Sequence, residues 1–146
     1  MWRLHRTDAL LLVIDCQEKL MPVIHDAEAI ARNIERLVRG CKIIDVPLLM
    51  TEQYVKGLGC TIPPIRAAAD ETFGYAPIEK MCFSAFANGE VLAEMRRLKK
   101  KQILVAGIET HVCVYQTVSD LLANGYEVTI VADAVSSRTA ANRAGA

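Results

Sequence analysis

Ala9-Leu10-Leu11-Leu12-Val13-Ile14-Asp15 is the stretch that decides the fold. Six apolar residues in a row leave no polar face, so they match neither the alternation of a half-solvated strand nor the stripe of a surface helix. An unbroken run of this length suits a strand buried on both faces of a parallel sheet, with helices covering each side. The carboxylate of Asp15 stands where such a strand would leave the sheet.

Downstream of this central strand, Asp26 is expected to cap a helix whose apolar positions Ile30, Ile34, Leu37, Val38 and Cys41 follow helical spacing. Pro47 cannot continue that helix, and Leu48-Leu49-Met50-Thr51 reads as a second strand. Glu52 to Thr72, rich in Gly and Pro, reads as a long loop with one short helix at Pro64 to Ala69. A loop of that length in a compact domain is more often functional than idle. Tyr75 to Lys80 reads as a third strand at a sheet edge, because it carries Pro77. Asn88 is expected to cap a helix with Val91, Leu92, Met95 and Leu98 inward, ending at Lys99-Lys100-Lys101, a basic run that complements the helix dipole. Gln102 to Gly107 gives a fourth strand, Val112 to Ala123 a helix stopped by Asn124-Gly125, and Tyr126 to Ala132 a fifth strand. The alternation predicts one domain over residues 1–146, a three-layer α/β/α fold built on a doubly wound, mostly parallel, Rossmann-like sheet.

The 146 residues carry 17 basic and 17 acidic side chains, so no global field favours nucleic acid or an anionic membrane. A small neutral or weakly charged ligand fits better. The five cysteines are odd in number, scattered and without a C-x-x-C pair, which speaks against a disulfide framework or zinc ribbon. The first apolar stretch is too short for a signal peptide or membrane span, so a cytoplasmic location is expected. Lys56-Gly57-Leu58-Gly59 is not a dinucleotide fingerprint, since it follows the second strand and lacks the third glycine and the helix opening. No cofactor is expected.

Ligands of open α/β sheets bind beyond the carboxyl ends of the strands, near the point where strand order reverses. Asp15 ends the first strand, Lys80 ends the third, and Cys113 lies just past the fourth, at the turn into a helix. A nucleophile needs such a base and cation beside it. A thiol at a helix N-terminus near an ammonium is expected to favour the thiolate. Gly107-Ile108-Glu109-Thr110-His111-Val112-Cys113 resembles in logic the strand-to-helix elbow that frees backbone N–H groups for an oxyanion. Taken singly, each residue has a plainer reading. A carboxylate ending a strand often caps a helix, a Lys after a strand is usually solvated, and cytosolic cysteines such as Cys16, Cys41, Cys60 and Cys82 are usually small buried or loop residues. His111 reads as a turn residue or pocket wall rather than a partner of Cys113.

Four blocks then carry a family likeness: Leu12-Val13-Ile14-Asp15-Cys16-Gln17, Glu79-Lys80-Met81-Cys82-Phe83-Ser84-Ala85-Phe86, Ala106-Gly107-Ile108-Glu109-Thr110-His111-Val112-Cys113-Val114 and Ala132-Asp133-Ala134-Val135-Ser136-Ser137-Arg138. In this order they resemble the isochorismatase-like cysteine hydrolases. The resemblance implies an Asp15, Lys80 and Cys113 triad and a non-proline cis peptide at Ile108-Glu109, which would turn the Glu109 N–H, with that of Cys113, toward an oxyanion. It also makes Gln17, Glu52, Tyr54, Phe83 and His111 candidate pocket residues. The implied activity is hydrolysis of a non-peptide C–N bond of a small amide-type molecule through a thioester. Members named for isochorismate cleavage lack the cysteine nucleophile, and nicotinamidase-like members carry an Asp-x-His metal pair where this chain reads Thr51-Glu52-Gln53-Tyr54. The likeness is therefore to the metal-free, poorly characterised branch, with no metal expected.

Family members usually continue past the Ser-Ser-Arg block into a further helix and a sixth strand, which this sequence lacks. The fifth strand would then be a β-prone, uncharged edge, and the expectation is either a homo-oligomer or a native protein whose tail continues beyond these residues. Two other functions compete with hydrolysis: a non-catalytic binding or scaffold subunit retaining the fold, and a thiol redox protein pairing Cys113 with Cys16 or Cys82, which no C-x-x-C spacing supports.

Overall fold

The computed structural model describes residues 3–145. Five parallel strands form one sheet in the order β3-β2-β1-β4-β5. They are β1 (Ala9–Ile14), β2 (Leu48–Gln53), β3 (Ile78–Lys80), β4 (Gln102–Ile108) and β5 (Glu127–Ser136). All six residues of β1 are buried, as the apolar run demands of a central strand. One face packs on α1 (Ala27–Ile43) and α3 (Pro63–Phe73), where Leu11 and Val13 meet Ile30, Ile34, Ile65 and Ala69. The other packs on α4 (Gly89–Leu98) and α5 (Tyr115–Ala123), where Leu10 and Leu12 meet Val91, Met95 and Leu121. The chain winds from β1 to β2 and β3 on one side, then returns to β4 and β5 on the other, so the strand order reverses between β1 and β4.

Several expectations need correction. The segment Glu52 to Thr72 is not a long loop: β2 runs to Gln53, a single turn α2 spans Val55–Leu58, and α3 is an 11-residue helix. Pro63 and Pro64 fill the first helical turn, where no N–H is needed, and Ile65, Ala68 and Ala69 form a buried stripe. The third strand is shorter than Tyr75 to Lys80, and the fifth is longer, reaching Ser136 through an irregularity between Val105 and Gly107 of the neighbouring strand. Asp26 sits at the start of α1 without a side-chain cap. Its carboxylate instead meets His25 at 3.2 Å and Arg143 at 3.8 Å. Asn88 does cap α4, accepting from the amides of Glu90 and Val91 at 3.0 and 3.1 Å. After β5 a five-residue helix α6 (Ala140–Ala144) follows, and no sixth strand is present among the described residues. No helix among them is long and apolar enough to cross a membrane.

Candidate active site

Gly107 fixes how closely β4 approaches β1. Its φ is +118°, and a Cβ there would lie 2.1 Å from the Ile14 carbonyl oxygen, so only glycine fits beside the residue that precedes Asp15. Asp15 then leaves the sheet in the left-handed region, φ 52°, a conformation that Asp tolerates better than most residues. Its amide still donates to the Thr51 carbonyl at 3.1 Å, which ties it to β2.

The Asp15 carboxylate is fully buried and both its oxygens have work. Oδ1 accepts from Thr51 Oγ1 at 2.8 Å, and Oδ2 lies 2.7 Å from Lys80 Nζ in an ion pair with no solvent exposure on either side chain. Burying two charges is costly unless each is paired and hydrogen-bonded. Lys80 meets that condition by donating to Gln53 Oε1 at 2.7 Å, Phe83 O at 3.0 Å and Cys82 O at 3.1 Å. Lys80 pairs with Gln53 in the β2–β3 ladder, so the strand register itself delivers these contacts.

Cys113 lies in a turn of π-helix, Thr110–Val114, that leads into α5. Its carbonyl accepts from Thr117 Oγ1 at 2.6 Å, and that hydroxyl accepts from the Ala85 amide at 2.9 Å, linking the Cys113 turn to the segment after β3. Burial, then the charge of Asp15, push the Cys113 thiol up to about 12, against the opposing pull of Lys80; hydrogen bonding with Asp15 and with Lys80 acts in the same opposed senses. The expected bias toward thiolate is therefore reversed in the resting site. A thiol 8% exposed loses more by desolvation than one ammonium returns. Cys16, buried next to Asp15, is raised as well, by burial first and the Asp15 charge second.

Asp15, Lys80 and Cys113 thus converge. The Ile108-Glu109 peptide is cis. The Glu109 side chain reaches away to Arg138, 3.2 Å from Nε and 3.2 Å from the backbone amide. The pocket candidates divide. Gln17 is consumed by structure, its amide bonding the Gln53 N–H, Gln53 carbonyl and Gly59 carbonyl. Glu52 likewise accepts from the Thr61 amide and hydroxyl at 2.6 and 2.8 Å and from the Tyr75 hydroxyl. Tyr54 and Phe83, 43% and 54% exposed, flank Lys80 through their backbones and remain open to a ligand. His111 is exposed and its Nδ1 lies 2.9 Å from Ser137 Oγ. Thr51 and Gln53 were missed in the sequence. Their signal was available, since residues two apart at a strand end share one face. Among the described residues, no three His, Cys, Asp or Glu side chains are grouped to hold a metal ion.

The isochorismatase domain family model matches residues 9–146. Isochorismatase domain-containing protein 2 of Danio rerio is 38% identical over 141 residues, covering 97% of this chain and 69% of that protein. Isochorismatase family protein 1B of Dictyostelium discoideum is 40% identical over 129 residues, covering 87% of this chain and 62% of that protein. The chain spans roughly two thirds of the length of these relatives. Among solved structures, the one described as MAR1 ribonuclease from Caenorhabditis elegans superposes with a TM-score of 0.89 at 36% identity, covering 99% of this chain and 72% of that one. The YcaC gene product of Escherichia coli, described as an octameric hydrolase of unknown specificity, superposes with a TM-score of 0.88 at 25% identity, covering 98% and 71%. A family match over nearly every described residue, on the sheet order found here, places the chain in the isochorismatase family with that family's hydrolase fold.

Proposed function

We propose that this chain is a cysteine hydrolase that cleaves a non-peptide, amide-type C–N bond of a small molecule through a thioester. The observation that carries the reading is the solvent-free Asp15–Lys80 pair acting on the Cys113 thiol. Because the resting thiol is protonated, attack needs a base at hand, and Asp15 is that base. The thiol proton passes to Asp15 as sulfur bonds the carbonyl carbon, and the amides of Glu109 and Cys113 receive the oxyanion. Asp15 returns the proton to the leaving nitrogen as the C–N bond breaks, which leaves the thioester. Water then gives a proton to Asp15 and its oxygen to the acyl carbon. The S–C bond breaks and sulfur recovers the proton from Asp15. Lys80 keeps its charge throughout and offsets the negative charge on the carboxylate and the sulfur. Tyr54 and Phe83 border the site and suit a substrate with an apolar part.

Screening small primary amides and ureido acids against wild type and Cys113→Ala tests this reading. Turnover in the wild type only, with an acyl adduct on Cys113 trapped by mass spectrometry, is the expected result. Equal turnover in both proteins would overturn it. RNA belongs in the same screen because of the Caenorhabditis elegans relative's description; RNA cleavage that Cys113→Ala abolishes would overturn the small-molecule assignment. A homo-oligomer is part of the same reading, supported by the octameric description of the Escherichia coli relative and by β5, which pairs with β4 alone among the described residues.

A further inference from the structure

An ammonium has three hydrogens to give, and around Lys80 Nζ stand four oxygen acceptors. Three are hydrogen-bonded to it: Gln53 Oε1, Cys82 O and Phe83 O. The fourth, Asp15 Oδ2, is held at 2.7 Å by charge, yet among the described residues no nitrogen or oxygen donor hydrogen-bonds it. Oδ1 of the same carboxylate is occupied by Thr51. Oδ2 is therefore the Asp15 oxygen that no N–H or O–H donor occupies among the described residues.

Gln53 is built so that its oxygen faces the ammonium. Its Nε2 donates to the Met81 carbonyl at 3.2 Å, which sets the amide's orientation, since a flipped amide would set NH₂ against NH₃⁺. Its main chain is bolted on both sides, with the N–H donating to Gln17 Oε1 at 2.6 Å and the carbonyl accepting from Gln17 Nε2 at 2.8 Å. Gln17 is fully buried, so the bolt is shielded from competing water.

We propose that Gln53 is a positioning residue: by taking one hydrogen of the Lys80 ammonium, with the Cys82 and Phe83 carbonyls taking the others, it keeps Asp15 Oδ2 open to receive the Cys113 proton. This rests on the hydrolase reading for its consequence in turnover, but not for its test on the thiol. Without the Gln53 acceptor, one ammonium hydrogen turns onto Asp15 Oδ2 and makes it a poorer base.

The test uses Gln53→Met, which keeps length and loses the acceptor, and Gln53→Glu, which keeps the acceptor. Alkylation of Cys113 by iodoacetamide, followed by peptide mapping, reads the thiol with no substrate required. Gln53→Met is expected to slow it about tenfold at pH 7, the scale of one charge-assisted hydrogen bond. The gap should narrow by pH 10, where hydroxide replaces Asp15 as the base, and Gln53→Glu should recover most of the loss at pH 7. If an amide substrate is found, kcat should fall in Gln53→Met with KM nearly unchanged. Equal alkylation by wild type and Gln53→Met at pH 7, or a Gln53→Glu protein as slow as Gln53→Met, would overturn the role of Gln53. Absence of amide turnover in the wild type would count against the hydrolase reading alone. Should Gln53→Met fail to fold, Gln53→Leu, which also lacks the acceptor, takes its place and is judged by the same outcomes.

Discussion

Lys80 Nζ and Asp15 Oδ2 face each other at 2.7 Å with neither side chain exposed to solvent. The pair is stable only because Thr51, Gln53 and two backbone carbonyls satisfy what the ions do not give each other. Removing one member leaves the other as an uncompensated buried charge. Lys80→Met should therefore cost about 3–5 kcal/mol of stability. The double variant Asp15→Asn with Lys80→Met should recover much of that loss while remaining without turnover. Urea denaturation of the three proteins checks this, and a double variant no more stable than Lys80→Met would contradict it.

The two members of the pair act on Cys113 with opposite sign. Asp15 raises the thiol and Lys80 lowers it, with burial the largest cause and the thiol standing at about 12. Asp15→Asn should thus lower the midpoint of thiolate formation, even as it abolishes turnover, and Lys80→Met should raise it. Ultraviolet titration of each variant against its Cys113→Ala counterpart isolates the signal. An upward shift in Asp15→Asn would show that the charge of Asp15 is not felt by the sulfur.

The same shift predicts how stability depends on pH. The folded protein holds the Cys113 proton more tightly than the unfolded chain does, whose thiol titrates near its ordinary value of 9.0. The unfolded state then binds fewer protons between about 9 and 12, so stability present below pH 9 is lost as pH rises through that window. Cys41 is raised by burial as well and adds in the same direction. Denaturation midpoints should therefore fall more steeply above pH 9 in wild type than in Cys113→Ala. Parallel curves for the two proteins would refute this.

Much of the fold was legible because burial writes itself into residue choice. The run Ala9–Ile14 could only be a central strand, and the helical stripes of α1 and α4 fell where their apolar positions placed them. The meeting of Asp15, Lys80 and Cys113 was legible because each ends or follows a strand at the sheet's carboxyl edge. Local signals misled where tertiary contact decides. Gly and Pro suggested a long loop holding only a short helix at Pro64 to Ala69, whereas Pro63 and Pro64 start an 11-residue helix. The protonation of Cys113 was misjudged because helix position and a nearby Lys are visible in sequence, while the depth of burial that outweighs them is not. Gln17 and Glu52 read as polar pocket residues, but their partners, Gly59 and Thr61, stand 42 and 9 residues further along, and only the fold brings them together.

Chelators should leave any hydrolase activity unchanged. The site offers one carboxylate and one thiol beside an ammonium, and the β2 terminus carries Thr51-Glu52-Gln53 rather than an Asp-x-His pair. Glu52 is further committed to Thr61 and Tyr75. Activity lost in EDTA and restored by zinc would reveal a metal role for these residues.

The edge strand β5 supports the last prediction. It pairs with β4 on one side and with no strand on the other among the described residues. Its run Val128-Thr129-Ile130-Val131 is uncharged and β-prone, and Ile130 is 42% exposed. An edge of this kind is open to pairing with another chain unless a charge or proline blunts it. The bulged end of the strand is already guarded, because Arg143 and Asn33 donate to the carbonyls of Ala132 and Asp133. The unguarded stretch is therefore Val128 to Val131. We expect the protein to be a homo-oligomer by light scattering, and Ile130→Lys to shift it toward smaller species while leaving the far-ultraviolet spectrum intact. A charge at an exposed edge position costs the monomer little and opposes a second strand directly. If wild type already runs as a monomer, β5 is not an assembly edge; if Ile130→Lys leaves the oligomer unchanged, assembly uses another face.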